Sequence, residues 1–547
     1  MRRYKIDALG ILAIAVIASL AWPSLASAQR AVEVPPPMRS QQPVAQVKGK
    51  APAQNATANT SLGPSRWTPL NNQPSFLING ASNPILLTDG SVMIQDTAFP
   101  DWWKLTPDST GSYINGTWTQ VASLPNSYSP LYHSSAVLPD GRLIIEGGEY
   151  LLNAKQTRLV PTWSAQGSIY DPVADVWTPV PTPTFFGGFG PFRQTIGDAQ
   201  SVILPNGTYM QADCCTKDEA LLDAATLTWT RTGKNKFDIN DEEGWNLLPN
   251  GEVLTVDAYV APYEEHGTHS EIYNPAKGSW KSAGSTIVQL WDSAADCGGF
   301  YFSSSEVGPA VLRPDGTVFY TGANSCGPGN TAIYNSVTGA WSLGPVFPDD
   351  LDIADGPAAL EPNGKVLMAT SPFFGPPGVE FFEWDGTSLT QVPGTPNAPF
   401  EPSYPLNMLV LPTGQILLTD TSSDVEIYTP AGTYDKAWAP KITSAPTLIG
   451  RGHTYQLSGT LLNGMSQGAA YGDDIQAATN FPLVRLTNVN THDVVYTRTH
   501  DHSSMAVASP DVVSTNFDVP LAAEPGYNTL VVVANGIPSA PITVLVY

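Results

Sequence analysis

The sequence has few basic residues, few charged residues of any kind and no long helical pattern. Its 547 residues include 26 Lys and Arg against 49 Asp and Glu, which gives a formal net charge of -23 at pH 7. An acidic chain of this kind argues against nucleic acid and anionic membrane surfaces as partners. The sequence also lacks a nucleophile elbow, a P-loop and a zincin signature, so nothing points to the enzyme classes that carry them.

What the sequence does contain is turn residues and apolar residues. It has 47 Gly and 50 Pro, and 42% of its residues are hydrophobic. A chain of this length and composition predicts an all-β protein with one large domain and a second, smaller one.

The N-terminus has the pattern of an export signal. A short basic start is followed by an apolar run from Ala8 to Trp22 and by small residues up to Ala28. We therefore predict a signal peptide over residues 1–28 and a secreted protein, either extracellular or periplasmic, with no membrane span after cleavage. Residues 29–64 are rich in Pro, Gln, Ala and Ser without periodicity, which predicts a disordered linker.

A short hairpin pattern recurs along most of the chain. Apolar residues flank an Asp, Asn or Thr followed by Gly, as in LPDGRLI and LPNGEVL, and glycine supplies the positive φ that such a tight turn needs. The spacing of about fifty residues is typical of kelch-type propeller blades. The turn glycines are Gly90, Gly141, Gly207, Gly251, Gly316, Gly364 and Gly414.

A second pattern follows most of these hairpins and predicts the two outer strands of each blade. Examples are SIYDPVADVW and EIYNPAKGSW, each of which ends in a Trp. The seventh hairpin is followed only by VEIYTPAG, so we predict that SRWTPL at 65–70 supplies the missing strand and closes the ring. These patterns predict a seven-bladed propeller over residues 65–438.

The pattern changes in the last part of the chain. Residues 439–547 carry shorter alternating runs such as TYQLSG, PLVRLT and ITVLVY, without propeller turns. This spacing predicts a separate immunoglobulin-like β-sandwich.

Together the blades and the C-terminal segments YGDDIQAATNFPLVRLT, RTHDHSSM and PGYNTLVVVANGIPSAP resemble the galactose oxidase and glyoxal oxidase family. The resemblance spans residues 65–547. It implies one copper ion at the propeller axis, held by two tyrosines and two histidines, with one tyrosine joined to a cysteine by a thioether.

The resemblance assigns candidate site residues one by one. Tyr132 matches the radical tyrosine, Tyr404 the axial tyrosine and Tyr150 the aromatic residue that covers the site. The histidine that the sandwich extends down the channel corresponds to His500, with His502 as the alternative.

Two positions depart from the family pattern. Ala81 stands at the place of the cysteine and Pro405 at the place of the second histidine. Without a sulfur no thioether forms, so the potential of the tyrosine is not lowered. The two-electron oxidation then lacks one of its two redox centres. Copper remains a possible cofactor, with His133, His500 or His502 completing a mixed set of imidazole and phenolate ligands.

Four acidic residues are also expected near the mouth of the channel. Asp198, Glu242 and Asp355 lie in the same register relative to the turns as Tyr132, and Glu306 is one residue out of register. Either they repel one another and recruit a cation such as Ca²⁺, or each accepts a backbone N–H at a strand entrance. His266 and His269 in the loop YEEHGTHSE are further candidate metal ligands, and solvation in an acidic loop is the alternative.

The chain has four cysteines, and export favours disulfides. Cys297 and Cys326 precede and follow the fifth hairpin on one face of one blade, so we predict that they are joined. Cys214 and Cys215 are adjacent in sequence and either form a vicinal disulfide or stay free. A vicinal disulfide there is expected to be a rigid floor for a ligand.

Two functions are compatible with these features. One is a secreted, monomeric binding or structural module that contacts glycans, other small polar ligands or cell-envelope polymers. The other is a copper-dependent oxidase of alcohols, sugars or aldehydes with a rearranged ligand set. The alanine at position 81 favours the first.

Overall fold

The computed structural model of the chain describes residues 63–153, 158–188, 190–259, 267–292, 305–324, 327–372, 377–474 and 477–547. Strands dominate these ranges, and the predicted all-β class is confirmed. Helical structure in them is limited to the 3-10 turns Pro125–Ser127, Ala398–Phe400 and Lys436–Trp438. None of these turns has the length and apolar character needed to cross a membrane. The predicted signal peptide and the linker up to residue 62 lie outside the described ranges.

The N-terminal strands form two four-stranded sheets and one small sheet. They are β1 (Arg66–Pro69), β2 (Ala81–Leu86), β3 (Val92–Asp96), β4 (Trp102–Thr106), β5 (Thr117–Gln120), β6 (Pro130–Leu131), β7 (Ser134–Val137), β8 (Leu143–Glu146), β9 (Tyr150–Leu152), β10 (Leu159–Pro161), β11 (Gly167–Asp171) and β12 (Val176–Val180). Strands β2 to β5 form blade 1, and β7, β8, β11 and β12 form blade 2. Strands β6, β9 and β10 pair with one another in a small sheet of their own, and β1 joins a later blade.

The middle of the chain forms four further sheets of the same kind. Their strands are β13 (Ser201–Ile203), β14 (Tyr209–Ala212), β15 (Glu219–Asp223), β16 (Thr228–Thr232), β17 (Asn246–Leu247), β18 (Val253–Val256), β19 (His269–Asn274), β20 (Ser279–Ser285), β21 (Ala310–Leu312), β22 (Thr317–Thr321), β23 (Thr331–Asn335), β24 (Ala340–Leu343), β25 (Leu351–Asp352), β26 (Ala358–Leu360), β27 (Val366–Pro372), β28 (Glu380–Trp384) and β29 (Leu389–Val392). Blades 3, 4 and 5 take four strands each, and blade 6 contains β26 to β29, with β25 paired to β27.

The last blade is closed by the start of the described chain. Strands β30 (Asn407–Val410), β31 (Ile416–Thr419) and β32 (Glu426–Thr429) pair in order, and β1 adds to β32 as the fourth strand. In this antiparallel pair Trp67 lies opposite Tyr428. The structure therefore shows the strand pairing predicted from SRWTPL.

Burial follows the position of each strand within its blade. Inner strands such as β3, β8 and β31 are buried along their whole length, whereas the outer strands β5 and β24 are mostly exposed. A strand that is covered on both faces is apolar without alternation. Inner strands of successive blades are neighbours, as β7 is of β13, β17 of β21 and β30 of β2. The blades therefore surround a common axis.

The hairpin glycines have the backbone conformation predicted for them. Their φ angles lie between 77° at Gly90 and 86° at Gly364. In blade 2, the N–H of Gly141 donates to the carbonyl of Leu138 at 2.9 Å and closes the turn. These turns lie at the end of each innermost strand, opposite the end where the strand enters the blade.

The C-terminal strands form a nine-stranded sheet. The strands after blade 7 are β33 (Lys441–Ser444), β34 (Leu448–Ile449), β35 (Thr454–Thr460), β36 (Ala469–Ala470), β37 (Leu483–Asn488), β38 (Val494–His500), β39 (Val513–Asp518), β40 (Gly526–Ala534), β41 (Ile537–Pro538) and β42 (Ile542–Val546). All of them except β36 belong to this sheet. Leu457 of β35, Phe517 of β39 and Leu530 of β40 share one buried core, so the sheet packs onto itself.

This C-terminal sheet packs on the turn side of the blades. The guanidinium of Arg498 donates to the carbonyl of Asp140 in the turn of blade 2 at 2.7 Å. The N–H of Met505 donates to Pro205 in the turn of blade 3 at 2.9 Å. Strand β36 leaves the sheet and pairs with β26, the inner strand of blade 6. One segment of the C-terminal part thus runs along the axis of the ring.

Candidate functional site

Four acidic side chains lie where innermost strands enter their blades. Asp198, Glu242, Glu306 and Asp355 precede β13, β17, β21 and β26; the first three are buried, and Asp355 is half-buried with a buried Oδ1. Their charges repel one another: Glu306 raises the pKa of Glu242, and Asp355 raises the pKa of Glu306. The structure therefore brings together all four of the acids predicted at the channel mouth.

The segment around β36 adds two carboxylates to this group. The N–H of Leu360 in blade 6 donates to the carbonyl of Gly468 at 2.7 Å, and the N–H of Leu247 in blade 4 donates to Gln467 Oε1 at 2.8 Å. Held in this way between two blades, the segment continues through Tyr471 and Gly472 to Asp473 and Asp474. These two aspartates come from the C-terminal part of the chain and complete a site whose other members come from the blades.

At Gly472 the chain passes very close to the blades. A Cβ on Gly472 would lie 2.7 Å from Asp355 Oδ1 and 3.2 Å from the carbonyl oxygen of Val307. The carbonyl oxygen of Gly472 in turn lies against Gly244. A larger residue at position 472 would therefore displace the carboxylate of Asp355, next to the position of Asp473.

Three of these carboxylates have the geometry of a metal site. One oxygen each of Asp198, Glu242 and Asp473 lies within 4.8 Å of the others. Oxygens of Asp198, Asp355 and Asp474 are also buried without a hydrogen-bond partner. Buried carboxylate oxygens in such a cluster are the ligands that a hard divalent cation takes up.

Burial and mutual repulsion set the charge of the cluster. Burial is the largest cause that raises the pKa of Asp198, Glu242 and Asp355, and repulsion between the carboxylates adds to it. No positively charged side chain is among the main causes acting on these three groups. At neutral pH the cluster therefore either keeps protons or holds a cation in their place.

Two further acids of the site were missed by the sequence analysis. Glu149 and Asp241 are both affected by the charge of Asp198, and burial raises the pKa of each well above its ordinary value. Both are immediate neighbours in sequence of residues that had been singled out, Tyr150 and Glu242. A register count based on the turn glycines selects one residue per blade, so it passed over these neighbours.

The tyrosines assigned by resemblance do lie together. The ring of Tyr132 is 6.3 Å from that of Tyr150 at 69° and stacks on Tyr471 at 6.4 Å. The hydroxyl of Tyr471 donates to the carbonyl oxygen of Tyr404 at 2.5 Å. The charges of Asp355, Glu149 and Asp474 each raise the pKa of the Tyr132 hydroxyl. A layer of phenol rings therefore adjoins the acidic cluster, and Tyr471 is a member that the sequence analysis did not identify.

The histidines assigned by resemblance lie elsewhere. His500 Nδ1 is 2.8 Å from Asp501 Oδ2, and its Nε2 is 3.2 Å from Asp518 Oδ1. The N–H of His502 donates to Pro139 in the turn of blade 2, at the opposite end of β7 from Tyr132. A strand rises about 3.3 Å per residue, so the two ends are roughly 20 Å apart. The residues that the C-terminal part extends to Tyr132 are Tyr471 to Asp474, in place of the predicted His500 or His502.

His133 follows Tyr132 directly but faces away from it. Its Nε2 is 2.8 Å from the side-chain nitrogen of Asn83, and its ring meets Trp102 edge to face at 6.3 Å. Burial lowers the pKa of His133 to about 3, so the imidazole is neutral. The predicted role of His133 as a copper ligand beside Tyr132 does not match this orientation.

His269 belongs to a separate ionic cluster in blade 4. Its Nδ1 lies 2.5 Å from Asp257 Oδ2, which raises the pKa of the imidazole. The ammonium of Lys236 bonds Glu243 at 2.9 Å and Glu271 at 2.8 Å. His269 therefore has a structural role in this ionic cluster. The other candidate of this loop, His266, lies outside the described residues.

Of the four cysteines, the structure describes two. Cys214 and Cys215 form a vicinal disulfide. The sulfur of Cys214 lies within 4.8 Å of carboxylate oxygens of Asp198 and Asp241, so the disulfide adjoins the acidic cluster. The predicted pair Cys297 and Cys326 lies outside the described residues, and that disulfide stays a prediction.

Comparison with known proteins finds no matching family model. The chain is 24% identical over 201 residues to the Kelch-like protein terF of Aspergillus terreus, a match that spans 34% of this chain and 38% of that protein. It is similar to a fungal alcohol oxidase of the AA5 family in complex with copper, with a TM-score of 0.40, 15% identity and coverage of 86% of this chain and 85% of the other. It is also similar to a streptogramin B lyase, with a TM-score of 0.43, 10% identity and coverage of 67% and 97%. The Kelch-like relative supports the resemblance to galactose oxidase-like kelch proteins, and none of these likenesses assigns an activity.

Proposed function

We propose that the chain is a secreted binding protein that holds Ca²⁺ at the propeller axis and uses it to bind a small polar ligand of the carbohydrate type. The observation that carries this proposal is the cluster of Asp198, Glu242 and Asp473, whose oxygens lie within 4.8 Å of one another. Ca²⁺ takes six to eight oxygen ligands with flexible geometry, and the surrounding acids supply such oxygens.

The same donor set does not fit the copper site of the family. Among the described residues, the side-chain groups that lie close enough to share a metal contain no histidine. The neutral His133 bonds Asn83, and Ala81 supplies no sulfur. Cu(II) in proteins prefers imidazole, whereas carboxylates suit Ca²⁺. We therefore derive no oxidation step from this site.

The tyrosines support the assignment of a polar, ring-shaped ligand. Tyr132, Tyr150 and Tyr471 form an aromatic layer beside the carboxylates. Apolar ring faces next to a few fixed polar groups are typical of small-molecule sites. A sugar fits both parts, because its hydroxyls complete the coordination of Ca²⁺ and its C–H face packs on a phenol ring.

The remaining parts of the proposal rest on the sequence. The signal-peptide pattern supports secretion, and so does the Cys214–Cys215 disulfide, since disulfides persist in oxidising compartments. The net charge of -23 supports a monomer that avoids nucleic acid.

The test is a metal titration of the secreted chain after removal of bound metal with a chelator. We expect calorimetry to show one Ca²⁺ per chain, together with Ca²⁺-dependent retention of some glycans on an array. Glu242→Gln and Asp473→Asn should each weaken Ca²⁺ binding at least tenfold because each removes a charged ligand. Asp511→Asn is the matched control, since Asp511 is exposed in the C-terminal part of the chain.

The oxidase alternative is tested on the same samples. After copper loading we expect no tyrosyl radical signal and no peroxide release from alcohols, sugars or aldehydes. Peroxide release that is lost in Tyr132→Phe would overturn the proposal in favour of the oxidase. Absence of Ca²⁺ binding by the wild-type chain would remove its central element.

A further inference from the structure

The vicinal disulfide lies among potential metal ligands, of which only Asp198 also belongs to the proposed calcium site. Cys214 is fully buried and Cys215 is 9% exposed. The sulfur of Cys214 lies within 4.8 Å of carboxylate oxygens of Asp198 and Asp241, which themselves are that close to each other. The Cys214 sulfur therefore adjoins two carboxylates, and its disulfide partner Cys215 lies within 4.8 Å of a carboxylate oxygen of Asp213.

The backbone fixes the sulfur in this position. Gly197 has a φ of 68°, and a Cβ on it would lie 2.6 Å from the Cys214 sulfur. The N–H of Cys214 donates to the carbonyl of Ile196 at 3.1 Å. Both contacts hold Cys214 against the segment that leads into Asp198.

A second observation supports a ligand site here. Asp198 is 7% exposed, and its Oδ1 is buried without a hydrogen-bond partner. By contrast, both oxygens of the adjacent Asp213 accept hydrogen bonds, from Thr195 at 2.7 Å and from Thr216 at 2.9 Å. Asp213 therefore supports the loop, whereas Asp198 has an oxygen available.

We propose that reduction of the Cys214–Cys215 disulfide creates a second metal site, in which the two thiolates together with Asp198 and Asp241 bind Zn²⁺. Zn²⁺ prefers four ligands in a tetrahedron and accepts mixed thiolate and carboxylate sets. The disulfide form offers no thiolate, so this site exists only in the reduced chain. The site does not need Ca²⁺ at the axis, although it shares Asp198 with the calcium site.

A dithiol or a phosphine can supply the electrons that reduce the disulfide. A dithiol gives two electrons and two protons to the S–S bond, which yields the thiols of Cys214 and Cys215, and the dithiol becomes a disulfide. With a phosphine and water, the phosphine becomes its oxide and water supplies the two protons. Zn²⁺ then displaces the two thiol protons when it binds.

The test uses the full secreted chain, reduced with a phosphine, and Cd²⁺ as a probe with Zn²⁺ as the competitor. We expect one equivalent of Cd²⁺ to produce thiolate-to-metal charge-transfer absorption, and Zn²⁺ to displace it. The oxidised chain should give no such absorption. Asp241→Asn should weaken binding by about 10- to 100-fold, the range typical of losing one group of a metal site.

Two controls separate this site from the other cysteines and from the calcium site. The double variant Cys297→Ser with Cys326→Ser should keep the absorption, whereas Cys214→Ser should lose it. Glu242→Gln should weaken Ca²⁺ binding at least tenfold and keep the Cd²⁺ absorption, so failure of one site is distinguishable from failure of the other. Absence of the absorption in the reduced wild-type chain, or its loss in the Cys297 and Cys326 variant, would overturn the proposal. The wild-type comparison needs no substitution and so holds even if a cysteine variant misfolds.

Discussion

Truncating the Trp67 side chain should open the ring at the point where its two ends meet. The indole lies between the rings of Phe381 and Tyr428, with both centroids 4.9 Å away. Its Nε1 donates to the carbonyl of Pro393 at 2.7 Å. In Trp67→Ala the strand β1 thus loses its contact with blade 6 as well as its packing within blade 7.

The size of the effect follows from these contacts. Replacing a fully buried Trp by Ala costs about 3–5 kcal/mol. Trp67 is half-buried, which reduces this to roughly 2 kcal/mol, and the hydrogen bond adds about 1 kcal/mol. We therefore expect Trp67→Ala to lower the free energy of unfolding by about 3 kcal/mol, and Trp67→Phe, which keeps a ring, by about 1 kcal/mol.

Denaturant unfolding combined with hydrogen exchange provides the assay. In Trp67→Ala we expect faster exchange in β1 and β32. The matched control is Trp229→Ala, because Trp229 is also half-buried on an outer strand and donates to a carbonyl of the preceding blade at 2.6 Å, but lies in blade 3. That variant should leave exchange in β32 unchanged. A loss below about 1 kcal/mol in Trp67→Ala, with unchanged exchange in β32, would refute the role of β1 in closure.

Three further outcomes are expected. Burial lowers the pKa of His133 and His502 to about 3. The stability that these neutral imidazoles contribute above their ordinary pKa of about 6.5 should therefore be lost as the pH falls towards 3. The denaturation midpoint of His502→Gln should depend less on pH over this interval than that of the wild-type chain. Burial raises the pKa of the axial acids, so without metal their contribution to the free energy of unfolding should fall as the pH rises above about 4. The increase in melting temperature on adding Ca²⁺ should therefore be larger near pH 8 than near pH 5. Lys236→Met leaves three buried carboxylates without their cation and should lower the free energy of unfolding by about 3–5 kcal/mol in denaturant, and a loss below about 1 kcal/mol would contradict this interpretation of the cluster.

The propeller part of the fold was predictable because each blade repeats one local rule. A glycine with positive φ closes every inner hairpin, and the register of each innermost strand follows from it. Counting back from these turns selected Asp198, Glu242 and Asp355, which the structure places in one acidic cluster.

The contribution of the C-terminal part was not predictable in this way. No turn glycine sets a register for Tyr471 to Asp474, and their position depends on the long-range pairing of β36 with β26. Resemblance alone placed His500 at the axis, whereas its imidazole bonds Asp501 and Asp518. The one local signal was Gly472 between a tyrosine and two aspartates, and its meaning depends on a close approach that only the folded chain reveals.

The pairing of β1 with β32 also constrains the order of events during synthesis. Gln73, just after β1, bonds Val425 across 352 residues of sequence. At about 5–20 residues per second, the first strand waits roughly 20 to 70 s for its partner to be made. During that time its N–H and C=O groups form an unpaired edge, which invites pairing with other chains. The newly made chain therefore needs protection from aggregation until residue 429 has emerged and β1 can pair with β32.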